Sequence, residues 1–81
     1  MMTPTMKYYR LAVTGRGTFP YDMLRYGQCF PECTSDAHNL EPDAREPRTI
    51  QLGCYATSAL HMQSTVDRFA SFMWTAEVVQ Q

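Results

Sequence analysis

Phe19-Pro20-Tyr21-Asp22-Met23-Leu24-Arg25-Tyr26-Gly27-Gln28-Cys29-Phe30-Pro31-Glu32-Cys33 gathers two of the chain's five prolines and two of its three cysteines into one short stretch. Pro20 suits the first turn of a helix, where a missing N–H costs nothing. Thr18 stands upstream as a cap, and Asp22 lies where the helix dipole favours a negative charge. Gly27 fits the position just past the last turn. Phe19 and Met23 are one turn apart, as are Pro20 and Leu24, so an apolar stripe is available for packing. The stretch predicts a two-turn helix with sharp stops at both ends, followed at once by a Cys-rich turn.

Upstream, Met6 to Thr14 alternates with period two. Tyr9, Leu11 and Val13 fall on one face, and Tyr8, Arg10, Ala12 and Thr14 on the other, as in a half-buried strand. Gly15-Arg16-Gly17 ends it, because glycine permits backbone angles that strands do not use. Downstream, residues 28 to 47 read as an irregular loop with three prolines (Pro31, Pro42 and Pro47), in which Ser35-Asp36-Ala37-His38 opens at most one helical turn. Arg48 to Ala56 is a second strand, with Ile50, Leu52, Cys54 and Ala56 facing one way, and Gly53 weakens it or marks a bulge. Ser64 or Thr65 caps a short helix through Phe72 with Val66, Phe69 and Ala70 buried. Met73 to Val79 is the last strand. The order is β-α-β-α-β: an α+β, two-layer domain with a three-stranded, largely antiparallel sheet and two short helices on one face. Part of such a sheet can stay solvated or serve as a platform for a partner.

The 81 residues make a single small domain, 1–81. A chain of this size buries about 60–65% of its unfolded surface, which leaves no room for a cofactor domain beside a substrate domain. Net charge is −1, so no global field draws nucleic acid or anionic membrane. The cations are nonetheless six Arg against one Lys, and Arg is the better residue for planar contacts with carboxylate, phosphate or base edges. No apolar run approaches the roughly 20 residues of a membrane span, and Met1 to Lys7 lacks the pattern of a secretory signal. Three cysteines, an odd number, argue against a disulfide framework and for a reducing cytoplasm.

At Phe19-Pro20-Tyr21-Asp22-Met23-Leu24-Arg25-Tyr26, and again at Arg68-Phe69-Ala70-Ser71-Phe72-Met73-Trp74, the chain resembles small uncharacterised proteins of proteobacteria and their phages or mobile elements. Their pattern is approximately F-P-x-D-M-L-R-Y-D, then C-[WY]-P, then R-x-x-S-F-x-W. Here Gly27 stands where that pattern has Asp, and Phe30 where it has Trp or Tyr. The resemblance implies a bacterial or phage origin and a stand-alone small domain, and it carries over no catalytic or binding residue.

Cys29, Cys33 and His38 come closest to a metal signature, with Cys54 or His61 as a fourth ligand. Structural zinc sites take tetrahedral N/S ligands, usually as two close pairs, and the second pair is missing. A thiol nucleophile at Cys29 or Cys33 needs a base such as His38 or His61 within reach. No P-loop, dinucleotide fingerprint, HExxH or GxSxG is present, so no enzyme activity and no cofactor are expected.

The leading reading is therefore a non-enzymatic protein-interaction module of a phage or mobile element, an inhibitor of a host defence system in its most specific form. Its surface is expected at Tyr21, Arg25, Tyr26 and Phe30, its partner is a host or phage protein, and a homodimer through an open sheet edge is a second mode of association. The alternative is a nucleic-acid-binding accessory domain using Tyr8, Arg10, Arg16 and Arg25, because aromatic faces stack on bases and Arg handles phosphate. A structural zinc or thiol site at Cys29 and Cys33 is third.

Overall fold

The computed structural model describes residues 5–32 and 46–81. Strand β1 spans Lys7–Gly15, helix α1 Asp22–Tyr26, strand β2 Cys29–Pro31, strand β3 Arg48–Ala56, helix α2 Ala59–Ala70 and strand β4 Thr75–Gln80. The four strands form one sheet in the order β2-β3-β1-β4, and every neighbouring pair is antiparallel. Among the described residues the element order is β-α-β-β-α-β, that of the split β-α-β arrangement.

The α+β class, the single sheet and the two helices on one face follow the sequence expectation. The strand count does not, since the described residues form four strands rather than three. The additional one is β2, inside the stretch read as the start of an irregular loop. Three residues are too few to show a period, and their strand character comes from pairing with β3: Cys29 opposite Cys54, Phe30 opposite Gly53, Pro31 opposite Leu52. The turn expected at Ser35–His38 lies outside the described residues.

Alternation along the long strands builds the core. Tyr9, Leu11 and Val13 of β1 and Ile50, Leu52, Cys54 and Ala56 of β3 all point to the helical side, where they pack with Phe19, Met23, Met62, Phe69 and Trp74. Burying each large apolar side chain contributes about 1.5–3 kcal/mol against exposure. Three rings form the centre of this layer. Phe19 sits edge-on to Trp74 at 5.3 Å and tilted against Phe69 at 6.0 Å. Gly15 lets Trp74 close over the end of β1, because a Cβ there would meet the indole ring. Arg48, opposite Gly15 in the ladder, stacks over Trp74 at 5.3 Å and donates through Nη2 to the Gly17 carbonyl at 3.0 Å. One arginine thus ties the first turn to the core.

Several local boundaries differ from the expectation. Helix α1 begins at Asp22 after Tyr21 with no side-chain cap, so Thr18 plays no capping part. Gly27 is not left-handed; Gln28 takes that conformation instead, at φ 51°. Gly27 is needed for room, since a Cβ there would stand 2.6 Å from Thr65 Cγ2 on α2. Helix α2 starts six residues before the expected cap: Ser58 Oγ accepts from the His61 N–H at 3.1 Å, and Met62, Thr65 and Phe69 form the buried stripe while Ala70 is exposed. Gly53 causes no bulge, and the register shifts instead between Arg10 and Leu11, opposite β4. Strand β4 begins at Thr75, because Met73 turns out of the helix at φ 68°. Among the described residues no helix is long and apolar enough to cross a membrane.

Candidate functional site on the open sheet face

The helices leave the opposite face of the sheet bare among the described residues. Parity places Tyr8, Arg10, Ala12 and Thr14 of β1, Thr49, Gln51, Gly53 and Tyr55 of β3, Phe30 of β2, and Thr75 and Glu77 of β4 on it. One end of this face is aromatic. Phe30 stacks on Tyr55 with ring centroids 6.1 Å apart and 29° between planes, and Tyr8 meets Tyr55 edge-on at 5.6 Å. Phe30 is 40% and Tyr55 42% exposed, so the rings pack on one another yet keep a wet side. The other end is small and polar, with Thr14 and Thr49 hydrogen-bonded at 2.9 Å.

Glu32 anchors the aromatic end. Its backbone N–H donates to the Gln51 carbonyl at 2.9 Å, which extends the β2–β3 ladder by one residue. Its carboxylate accepts from Tyr8 Oη and faces Arg10 Nη2 at 3.7 Å. The hydrogen bond to Glu32, reinforced by desolvation, raises the Tyr8 phenol above its ordinary pKa of 10.0. Gly53 lies beneath the cluster. A Cβ at that position would run into Glu32 Oε1 and stand 2.6 Å from Phe30 Cζ. The glycine is a packing requirement of the site, since only a bare backbone lets both side chains lie flat.

The residues expected to act together are divided between surfaces. Phe30 is on the open face, whereas Tyr26 is bound to the helical side: Arg68 Cζ lies 4.4 Å from its ring centroid and its hydroxyl 3.3 Å from Ser64 Oγ. Tyr21 packs edge-on against Phe19 at 5.8 Å, and Arg25 is exposed on α1. Of the nucleic-acid set, Tyr8 and Arg10 share the open face, Arg16 lies beyond the end of β1, and Arg25 is on the helix. Tyr55 and Glu32 were not singled out from the sequence. The parity of Arg48–Ala56 put Tyr55 opposite its buried residues, and that was the available signal.

Cys29 forms a disulfide with Cys54, with Cα atoms 4.1 Å apart. This corrects the expectation of unpaired thiols: two of the three cysteines are directly opposite in the β2–β3 ladder, a pairing that an odd count does not reveal. The thiol that a zinc or nucleophilic role for Cys29 requires is consumed in that bond. Cys33 and His38 lie outside the described residues. Among the described residues no three His, Cys, Asp or Glu side chains are grouped to hold a metal ion.

The open face thus offers ring area, one ion pair and a rim of hydroxyls, an arrangement suited to contact. No protein-family model, no curated protein and no solved structure matches this chain.

Proposed function

We propose that this chain is a non-catalytic protein-binding module that docks its partner on the open sheet face, with Phe30, Tyr55, Tyr8 and Arg10 as the contact residues. The observation that carries this reading is the stacked Phe30–Tyr55 pair, flanked by Tyr8 and left half exposed on a face that no other described element covers. Aromatic residues and Arg dominate binding hot spots, because rigid rings bury large area at low entropic cost.

Charge favours a protein over a nucleic acid as the partner. Among the described residues the face carries one cation, Arg10, already opposite Glu32, and a second carboxylate at Glu77. Nucleic-acid affinity rests on cations that displace counterions from phosphate, and this face has a carboxylate excess. Size bounds the partner. Strands of nine, three, nine and six residues, at about 3.3 Å per residue and about 4.8 Å apart, make roughly 430 Å², less than the ~800 Å² per side of a standard interface. The partner therefore also engages the rim, or the complex is transient. The phage-type resemblance of the Phe19–Tyr26 motif motivates a host protein as that partner, by analogy alone.

The test compares Phe30→Ala/Tyr55→Ala with Tyr21→Ala/Arg25→Ala on the helical side, in affinity capture from bacterial lysate. The expected result is a stoichiometric partner retained by the helical-side variant and lost by the open-face variant. Loss confined to the helical-side variant, or no stoichiometric partner with wild type, refutes the reading. Salt-sensitive oligonucleotide binding at micromolar protein replaces it with the nucleic-acid alternative.

A further inference from the structure

The disulfide and the open face meet in one short element. Strand β2 is three residues long, lies at the sheet edge, and carries Phe30, with Glu32 immediately after it. Its ladder to β3 is closed at the ends by the Tyr55 N–H donating to the Gln28 carbonyl at 3.3 Å and the Glu32 N–H donating to the Gln51 carbonyl at 2.9 Å. Pro31 contributes no N–H. The chain enters β2 through Gln28 in the left-handed region, at φ 51°, a conformation that costs a non-glycine residue energy and persists only where the surroundings hold it. A strand so short, edge-bound and entered through an unfavourable residue has few bonds to hold it besides its covalent tie. That tie is Cys29–Cys54, on the face opposite to Phe30.

We propose that Cys29–Cys54 is a redox clip on the binding face: oxidised, it holds Phe30 and Glu32 against Tyr55, Tyr8 and Arg10, and reduced, it releases β2 and takes the aromatic cluster apart. The binding consequence rests on the function proposed above; the structural consequence does not. A dithiol reductant supplies the chemistry. Its thiolate attacks one sulfur of the pair to form a mixed disulfide, its second thiol then displaces the protein sulfur, and two electrons and two protons pass to the protein, leaving Cys29 and Cys54 as thiols and the reductant as its own disulfide. Such bonds persist in oxidising compartments and are opened in reducing ones, so the compartment sets the state of the face.

The test uses the full chain with Cys33→Ser, so that only one pair can form, oxidised and then reduced with dithiothreitol; thiols are counted by alkylation and mass spectrometry on a parallel sample. Amide hydrogen exchange and the ring-to-ring nuclear Overhauser effect are followed by NMR. Expected on reduction is exchange at least tenfold faster at Glu32 and Tyr55, approaching the unprotected rate, with Leu11 and Phe69 slowed less than before yet still protected, loss of the Phe30–Tyr55 effect, and reversal of these changes on reoxidation. Cys29→Ser should reproduce the reduced pattern. Unaltered exchange at Glu32 and Tyr55 with both thiols free overturns the proposal. So does loss of protection at Leu11 and Phe69 as well, which means that the whole domain unfolds with the bond. None of these readouts needs a partner, so the clip and the docking face fail separately.

Discussion

Phe30 and Tyr55 stack across the β2–β3 ladder over a bare backbone, their centroids 6.1 Å apart, because Gly53 between them has no side chain to occupy that space. The contact joins an edge strand to the middle of the sheet, and it is made on the face away from the core.

Two glycines accordingly respond differently to alanine. At Gly15 the new Cβ lands 2.5 Å from Cε3 of Trp74, a ring that is 2% exposed and cannot move away; overpacking of this kind costs about 1–3 kcal/mol. At Gly53 the atoms met are the ends of Glu32 and Phe30, which can swing outward. Gly53→Ala is expected to change stability by less than about 1 kcal/mol while displacing Phe30 from Tyr55. Urea denaturation of both variants checks the order, and a Gly15→Ala protein as stable as wild type contradicts the packing of Trp74.

Removing the disulfide should lower global stability while leaving a folded domain. The bond closes a loop across a sequence separation of 25 residues, which the chain-entropy account converts to about 3.5 kcal/mol. A domain of 81 residues has roughly 4–12 kcal/mol in total at about 0.05–0.15 per residue. Cys29→Ser/Cys54→Ala is therefore expected to unfold cooperatively at a clearly lower denaturant midpoint. An unchanged midpoint counts against the bond.

The start of α2 can be located by its caps. Ser58→Ala removes the acceptor for the His61 N–H and should cost about 1 kcal/mol. Ser64→Ala lies within the helix, where alanine's higher propensity offsets the weak 3.3 Å contact with the Tyr26 hydroxyl, and should stay within about 0.5 kcal/mol of wild type. The reverse order in thermal or urea unfolding places the cap at Ser64.

Tyr8 provides a titration signature of the site. Its phenol is raised because the neutral hydroxyl donates to Glu32 and an ionised one would face that carboxylate. A group raised in the folded state stabilises fully below its unfolded value, here near 10.0, and that contribution is lost as pH rises through the folded value. Phenolate absorbance should show one tyrosine ionising late, and Glu32→Gln should bring it back toward the ordinary value. An identical titration curve for Glu32→Gln means that Tyr8 and Glu32 do not interact.

Much of the fold is local chemistry written in order. The period-two runs Tyr9-Leu11-Val13 and Ile50-Leu52-Cys54-Ala56 give the buried faces of both long strands, because a pleated backbone sends alternate side chains to opposite sides. Met23 marks the inner face of α1 for the same kind of reason, the helical period. Of the site, Tyr8 and Arg10 were visible as the outer face of the first strand, and Phe30 was visible as an aromatic without a structural duty.

The rest depended on distance along the chain being converted into contact. β2 is too short to carry a period and exists as a strand because β3 pairs with it. Cys29 and Cys54 become neighbours because that pairing sets them directly opposite, so no count of cysteines reveals them. Helix α2 is capped by Ser58 rather than Ser64 because Met62 and Thr65 are buried against the sheet and α1, and burial outweighs a good local cap. The sequence by itself determined which side of each long strand is wet; only the tertiary structure, by aligning β2, β3 and β1, assembled Phe30, Glu32, Tyr55, Tyr8 and Arg10 into one surface and placed a disulfide behind it.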